Sequence, residues 1–211
     1  MVGGGFWVSP FFINRYAVVP ARNFFMEKSE IRKQVRALKK EVPLEEKIRR
    51  SQPIMDKVGR LDAFNQAQTV LLYWSMDDEV YTHDFVRQWY ERKCLLLPCV
   101  EGDDLLLRQY KGPESMRPGP QFGIPEPVGP VFDELDKIEM IVVPGVAFDR
   151  QRNRMGRGRG FYDRLLKSTP NAIKVGVAFD FQIFDSIPVE PFDVPMDVVV
   201  KELDAFSVDV T

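Results

Sequence analysis

The sequence predicts an α/β layered domain with a mostly parallel sheet covered on both sides. Three observations carry that expectation. Short aliphatic runs (TVLLYW at 69–74, CLLLPCV at 94–100, IEMIVV at 138–143, KVGVAF at 174–179, VVV at 198–200) alternate with segments of helical periodicity. The runs are apolar at successive positions, as strands buried on both faces are. At 211 residues the chain is long enough to bury the core that such a sheet requires.

Taken in order, residues 27–42 place Ile31, Val35, Leu38 and Val42 at helical spacing, with Ser29 as a candidate cap and Pro43 as the stop. Residues 44–64 repeat the pattern through Ile48, Ile54, Met55, Val58 and Leu61. Pro53 lies inside that stretch and is expected to kink or divide it, because it brings no N–H to the helix. The run at 69–74 follows as a buried strand, and Thr82 is placed to cap a helix over 83–93. CLLLPCV and DLLLRQY are two strands joined by a turn at 101–103. Residues 111–130 are rich in proline and glycine and are expected to form a loop, since strands resume after them. The run at 138–143 leads into Pro144–Gly145, a long charged loop, a helix over 161–168 and two last strands. In sheets of this kind ligands gather at loops that follow the carboxyl ends of the strands.

A formal charge of −2 gives no global pull toward nucleic acid or an anionic membrane, so any basic character is local. Cys94 and Cys99 share one run in which alternation sends them to opposite faces, so they are expected to be buried free thiols. The first 25 residues are aromatic-rich and hold no acid. Their apolar stretches are broken by Pro10, Asn14, Arg15 and Pro20, too short to span a bilayer and without the form of a secretory signal. Residues 1–25 are therefore taken as a dispensable N-terminal extension or an over-called start with Met26 the working initiator, and 26–211 as the domain. A cytoplasmic protein that is a monomer or weak dimer is expected.

One loop dominates the chemistry. Residues 143–166, VPGVAFDRQRNRMGRGRGFYDRLL, hold Arg150, Arg152, Arg154, Arg157, Arg159 and Arg164 against only Asp149 and Asp163. That crowding repels itself unless an anion neutralises it. Gly156, Gly158 and Gly160 alternate with arginine, which frees the backbone to curl so that N–H groups converge on a ligand. The segment then enters a helix, whose first turn offers unpaired donors and the positive end of a dipole. Backbone donors, arginines and a helix start together form a phosphate cradle. The pattern is neither a Walker loop nor GxGxxG, and a solvated basic loop or an RNA contact remains open on these residues alone.

PGVAFD…NRMGRGRGFYDRLL resembles the signature of the 5-formyltetrahydrofolate cyclo-ligase family. The resemblance extends over roughly residues 28–200, through KSEIR, SMDDEVYT, LLLPCV, FGIPEP, AFDFQ and FDVPMDVVV in the family's order. It implies a three-layer α/β/α fold of the ribose-phosphate isomerase/CoA-transferase type. It also implies ATP-dependent closure of 5-formyltetrahydrofolate to 5,10-methenyltetrahydrofolate, with Mg²⁺ as cofactor and small molecules, not nucleic acid or membrane, as partners.

The resemblance further implies site residues. Lys28, Ser29, Glu30, Ile31 and Arg32 fall in the family's ATP segment, and Arg32 also on the folate side. Lys28 and Arg32 lie four apart, on one helix face. The second ATP segment is Arg154, Met155, Gly156, Arg157, Gly158, Arg159, Gly160, Phe161 and Tyr162, of which Arg157 to Phe161 also border the folate. Arg154, Arg157 and Tyr162 are the implied catalytic groups. Trp74, Glu79 and Phe122 match folate-contacting positions, and a carboxylate such as Glu79 suits the adjacent donors of a pterin. Asp163 and Asp193 match two magnesium-associated acids. Arg157 and Phe161 each stand where a tyrosine is common in the family, the second with loss of a hydroxyl. His83, the single histidine, is taken as a helix-terminal residue with no nucleophile beside it.

Overall fold

Successive strand residues face opposite ways, so a strand with no polar side must find two apolar partners. The computed structural model supplies them. It describes residues 26–102, 104–119, 123–203 and 205–207; the leading extension and Phe122 lie outside these. The main sheet has strands β1 (Thr69–Leu71), β2 (Cys94–Glu101), β3 (Asp104–Gln109), β4 (Met140–Pro144), β5 (Ile173–Val177), β6 (Val198–Val200) and β7 (Ala205–Ser207). Their order is β7-β6-β5-β4-β1-β2-β3. The five central strands run parallel, and β3 and β7 close the edges antiparallel.

The helices are α1 (Lys28–Glu41), α2 (Leu44–Arg60), α3 (Asp62–Gln66), α4 (His83–Trp89) and α5 (Phe161–Ser168). Val70, Leu95, Met140 and Val175 pack on one sheet face with Ile54 and Val58 of α2, Phe64 of α3 and Phe85 of α4. The next residues along, Leu71, Leu96 and Ile141, pack on the other face with Val199 of β6 and with Leu165 and Leu166 of α5. The expected three layers are therefore present. From β1 the chain moves outward to β2, whereas from β4 it moves the other way to β5, so the order reverses between β1 and β4. Loops leaving those two strand ends diverge and open a crevice.

Several local expectations are corrected. Helix α2 runs unbroken through Pro53, and the chain breaks instead at Leu61, whose ψ of 135° is extended. Burial of Ile54, Met55 and Val58, at roughly 1.5–3 kcal/mol each, outweighs the roughly 3 kcal/mol a proline costs mid-helix. Helix α1 begins at Lys28 with Glu27 at its cap, and Glu30 Oε2 accepts from the Glu27 N–H at 3.2 Å, so Ser29 is inside the helix and caps nothing. The Thr82 hydroxyl does not cap α4 either; it donates to the Tyr73 carbonyl at 2.5 Å. Strand β1 stops at Leu71, short of Trp74, because the chain turns into the crevice. The loop at 111–130 contains a small antiparallel hairpin, Met116–Pro118 with Pro125–Pro127. Cys94 and Cys99 are free thiols, as expected, but only Cys99 is buried; Cys94 is half-buried.

The charged loop after β4 is also ordered. Ala147–Asp149 pairs antiparallel with Arg154–Met155 and parallel with Ile183–Phe184. Its turn is organised by Asp149, which is fully buried. The carboxylate accepts from the backbone of Gln151 (3.0 Å), Asn153 (2.9 Å) and Ile187 (3.2 Å) and from Asn153 Nδ2 (2.9 Å). Ile31 and Val35 of α1 pack on this small sheet through Val146, Ala147 and Met155. Asp149→Ala strips several buried donors of their acceptor and is expected to lower the unfolding free energy by roughly 2–4 kcal/mol. Urea denaturation measures this; a change within about 0.5 kcal/mol would refute the role given to this carboxylate.

Candidate active site

The crevice at the β1/β4 reversal is a pocket of about 250 Å³. One wall comes from the loop after β1, held by short-range bonds. The Tyr73 hydroxyl donates to the Val80 carbonyl at 2.8 Å, and the Met76 N–H donates to Glu79 Oε2 at 3.0 Å. These turn Trp74, Met76 and Glu79 toward the pocket. The opposite wall is the arginine–glycine loop and the start of α5. Gly158 and Gly160 have φ of 106° and 68°, a region that a side chain disfavours, so the curl expected of these glycines is real. Helix α5 follows Gly160, and its first internal bond is from Arg164 N–H to the Gly160 carbonyl at 3.1 Å. The N–H groups of Phe161, Tyr162 and Asp163 are left without a helical acceptor and form the positive end of the helix.

Arg154 is the buried pillar of the site at 4% exposure. Its Nη1 donates to the Pro144 carbonyl at 3.2 Å and its Nη2 to Asp163 Oδ1 at 2.8 Å. Its guanidinium carbon lies 5.6 Å from the centre of the Tyr162 ring. Burial pushes the Tyr162 phenol well above its ordinary pKa, Glu79's charge adds to that, and Arg154 opposes it. Tyr162 is thus a neutral hydrogen-bond donor rather than a base. Arg157 Nη2 donates to Asp78 Oδ1 at 2.6 Å and to Glu79 Oε1 at 3.1 Å. Burial alone would lower its pKa, but Glu79 and Asp78 raise it. Trp74 lines the pocket with one ring face covered by His83, stacked at 3.9 Å. His83 opens α4 as expected, its Nε2 donates to the Ser75 carbonyl at 3.0 Å, and burial holds its pKa down.

The six arginines do not form one cluster. Arg150 pairs with Asp185 and Arg152 donates to the Met196 carbonyl, both away from the pocket, while Arg154, Arg157 and Arg159 line it. Arg164 donates to the Arg159 carbonyl and lies 5.5 Å from the Phe161 ring. Acids from distant parts of the chain, Asp78, Glu79 and Asp185, supply much of the neutralisation that sequence alone assigned to a ligand.

The other implied residues are placed as follows. Arg32 Nε donates to the Gly156 carbonyl at 3.1 Å, which ties α1 to the loop. Lys28 Nζ donates to Asp193 Oδ2 at 2.9 Å and lies 3.1 Å from Glu190, so an implied nucleotide residue and an implied metal ligand meet each other. Asp163, the other implied ligand, lines the pocket beside Arg154. Ser29 and Glu30 are exposed, whereas the Ile31 and Met155 side chains are core residues whose part in any site is confined to the backbone. Phe161 borders the pocket. Pro98, Val100, Leu105, Ile124 and Glu126 were not foreseen; they line the pocket from the β2–β3 hairpin and the proline-rich hairpin. Lys39 is another residue not foreseen: only 4% exposed, 3.6 Å from Asp78. The signal was its spacing of four from Val35 and eight from Ile31, on the buried face of α1.

A family model described as the 5-formyltetrahydrofolate cyclo-ligase family matches residues 25–202. A curated protein from Haemophilus influenzae, named 5-formyltetrahydrofolate cyclo-ligase, is 31% identical over 82% of this chain and 97% of its own length. A mouse protein of the same name is 28% identical over 83% of this chain and 91% of its own. Among solved structures, the NMR structure of Aquifex aeolicus 5,10-methenyltetrahydrofolate synthetase superposes with a TM-score of 0.79. It is 36% identical and the match covers 88% of this chain and 95% of that one.

The burial contrast between the two central arginines is testable. Arg154→Ala removes a buried guanidinium, leaves the half-buried Asp163 carboxylate without its partner, and is expected to lower the unfolding free energy by roughly 3–5 kcal/mol. Arg157, with 46% of its side chain exposed, is expected to cost under about 1 kcal/mol on the same change. Thermal or urea unfolding of both variants checks this; equal losses would contradict the assignment of Arg154 as the pillar.

Proposed function

The chain belongs to the 5-formyltetrahydrofolate cyclo-ligase family, and we propose that it converts 5-formyltetrahydrofolate and ATP into 5,10-methenyltetrahydrofolate, ADP and phosphate. The observation that carries this reading is the pocket itself. It has a carboxylate, Glu79, and the aromatic Trp74 on one wall, and arginines with a helix N-terminus on the other. The first wall suits a pterin, whose ring N–H and amino group are adjacent donors. The second suits a chain of phosphates.

The reaction joins the two. The formyl oxygen attacks the γ-phosphorus and the bond to ADP breaks, which turns a poor leaving group into phosphate. N10 then attacks the formyl carbon, the C–N bond forms, the C–O bond breaks, and N10 loses its proton. Since the substrate provides both nucleophiles, the protein's part is positioning and charge stabilisation. Arg157 and Arg159 meet charge on the transferring phosphoryl group. The neutral Tyr162 phenol donates a hydrogen bond near it, and the α5 donors hold phosphate oxygens. Arg32 braces the loop from α1 through the Gly156 carbonyl, and Lys28, one turn earlier on the same helix and paired with Asp193 and Glu190, steadies the nucleotide.

Mg²⁺ is the implied cofactor. Among the described residues no three or more candidate ligands converge. Mg²⁺ at nucleotide sites commonly takes only one or two carboxylates, with waters and phosphate oxygens completing its shell. Asp163 fits that need: Arg154 occupies Oδ1, and its second oxygen takes no hydrogen bond among the described residues. We assign the ion to Asp163, with Asp193 acting beside Lys28. When bound, Mg²⁺ supplies charge neutralisation for phosphate oxygens. Among the described residues no helix is long and apolar enough to cross a membrane, and we place the enzyme in the cytoplasm.

A spectroscopic assay of methenyl-folate formation tests the function: product is expected only with ATP present. ATP-independent product, or none at all, would sink it. Arg157→Ala is expected to lower kcat by roughly 10²–10³-fold, and unchanged turnover would remove Arg157 from the machinery. Because its raised pKa keeps the Tyr162 phenol protonated throughout the neutral and mildly alkaline range, no activity loss there is expected from its ionisation. Tyr162→Phe should therefore shift the level but not the shape of the pH profile; a vanished alkaline limb would contradict this.

A further inference from the structure

Arg157 has a second anchor outside the pocket. The same Nη2 that donates to Glu79 Oε1 at 3.1 Å donates to Asp78 Oδ1 at 2.6 Å. Asp78 Oδ2 in turn lies 3.6 Å from Lys39 Nζ. Lys39 projects from the buried face of α1, with its side chain 5% exposed. A lysine there loses hydration that an apolar residue would not need. Burial holds its pKa down, while Asp78 favours the charged form. The chain of charges therefore runs Lys39, Asp78, Arg157, Glu79, alternating in sign. Only Arg157 and Glu79 of these line the pocket.

We propose that Asp78, backed by Lys39, is a positioning residue that divides the Arg157 guanidinium and so keeps the Glu79 carboxylate available to the folate. This rests on the cyclo-ligase reading of the pocket. The geometry supports a division: the bond to Asp78 is shorter by half an ångström than the bond to Glu79. Glu79 Oε2 is committed to the Met76 N–H, so Oε1 is the oxygen that Arg157 and a pterin donor both address. Without the Asp78 charge, Arg157 would close fully on Oε1 and compete with the substrate for it. Lys39 keeps Asp78 ionised and fixed; burial works against the Asp78 charge, and Lys39 and Arg157 together hold its pKa down.

The test is a double-mutant cycle in the full chain, with kinetics for each substrate and a melting temperature for each variant. Asp78→Asn is expected to raise the folate KM about tenfold, with the ATP KM and kcat within about twofold, and to lower the melting temperature, since buried Lys39 loses its partner charge. In an Arg157→Ala background the same substitution should change the folate KM by less than about twofold. Lys39→Met should act in the same direction, and Asp78→Asn keeps the proposal testable if that buried change prevents folding. A folate KM that Asp78→Asn leaves at the wild-type value overturns the proposal, as does a tenfold rise that persists without Arg157. A wild type that forms no methenyl product overturns the assigned function, and this proposal with it.

Discussion

The site depends on one buried ion pair. Arg154 stands on the short strand Arg154–Met155, yet its guanidinium reaches the Pro144 carbonyl at the end of β4 and Asp163 in the first turn of α5. It therefore fixes where the loop leaves the sheet and where it re-enters a helix. Everything between, from Gly156 to Gly160, hangs between those two points. A guanidinium 4% exposed requires its carboxylate partner, since without Asp163 it would be an uncompensated buried charge. Its Nε is buried and has no acceptor among the described residues.

From that staple the electrostatics of the pocket follow. With Arg154 neutralised by Asp163, and Arg157 by Asp78 and Glu79, the wall is not a patch of raw positive charge. What the pocket offers a phosphate chain is directional: N–H groups at the start of α5 and guanidinium edges held in place. Preorganised donors of this kind stabilise charge without reorganising as it develops. The paired acids also tie the loop to α5 and to the loop after β1.

Much of this was legible in the sequence, for physical reasons. The strand runs were apolar at successive positions because the sheet is covered on both faces, and Val70 and Leu71 do face opposite cores. The alternation of glycine and arginine marked the loop because left-handed backbone at Gly158 and Gly160 is a local property. Long-range pairing was not legible. Nothing near Arg157 in sequence announces Asp78, 79 positions away, and nothing near Lys28 announces Asp193, 165 away. Ser29 misled because the helix begins one residue before it, and Thr82 because its hydroxyl is turned to donate to the Tyr73 carbonyl and accepts from no N–H of the first turn of α4. Lys39 escaped notice because a lysine on an apolar face is ordinarily solvated, and its acceptor comes from another part of the chain.

Backbone hydrogen exchange with and without ATP tests the central claim most directly, because it observes the donors themselves. If the segment between the Pro144 and Asp163 anchors holds the nucleotide's phosphates, amides from Gly156 to Asp163 should exchange markedly more slowly when ATP is bound. Protection confined to other parts of the molecule, with these amides unchanged at saturating ATP, would contradict the account.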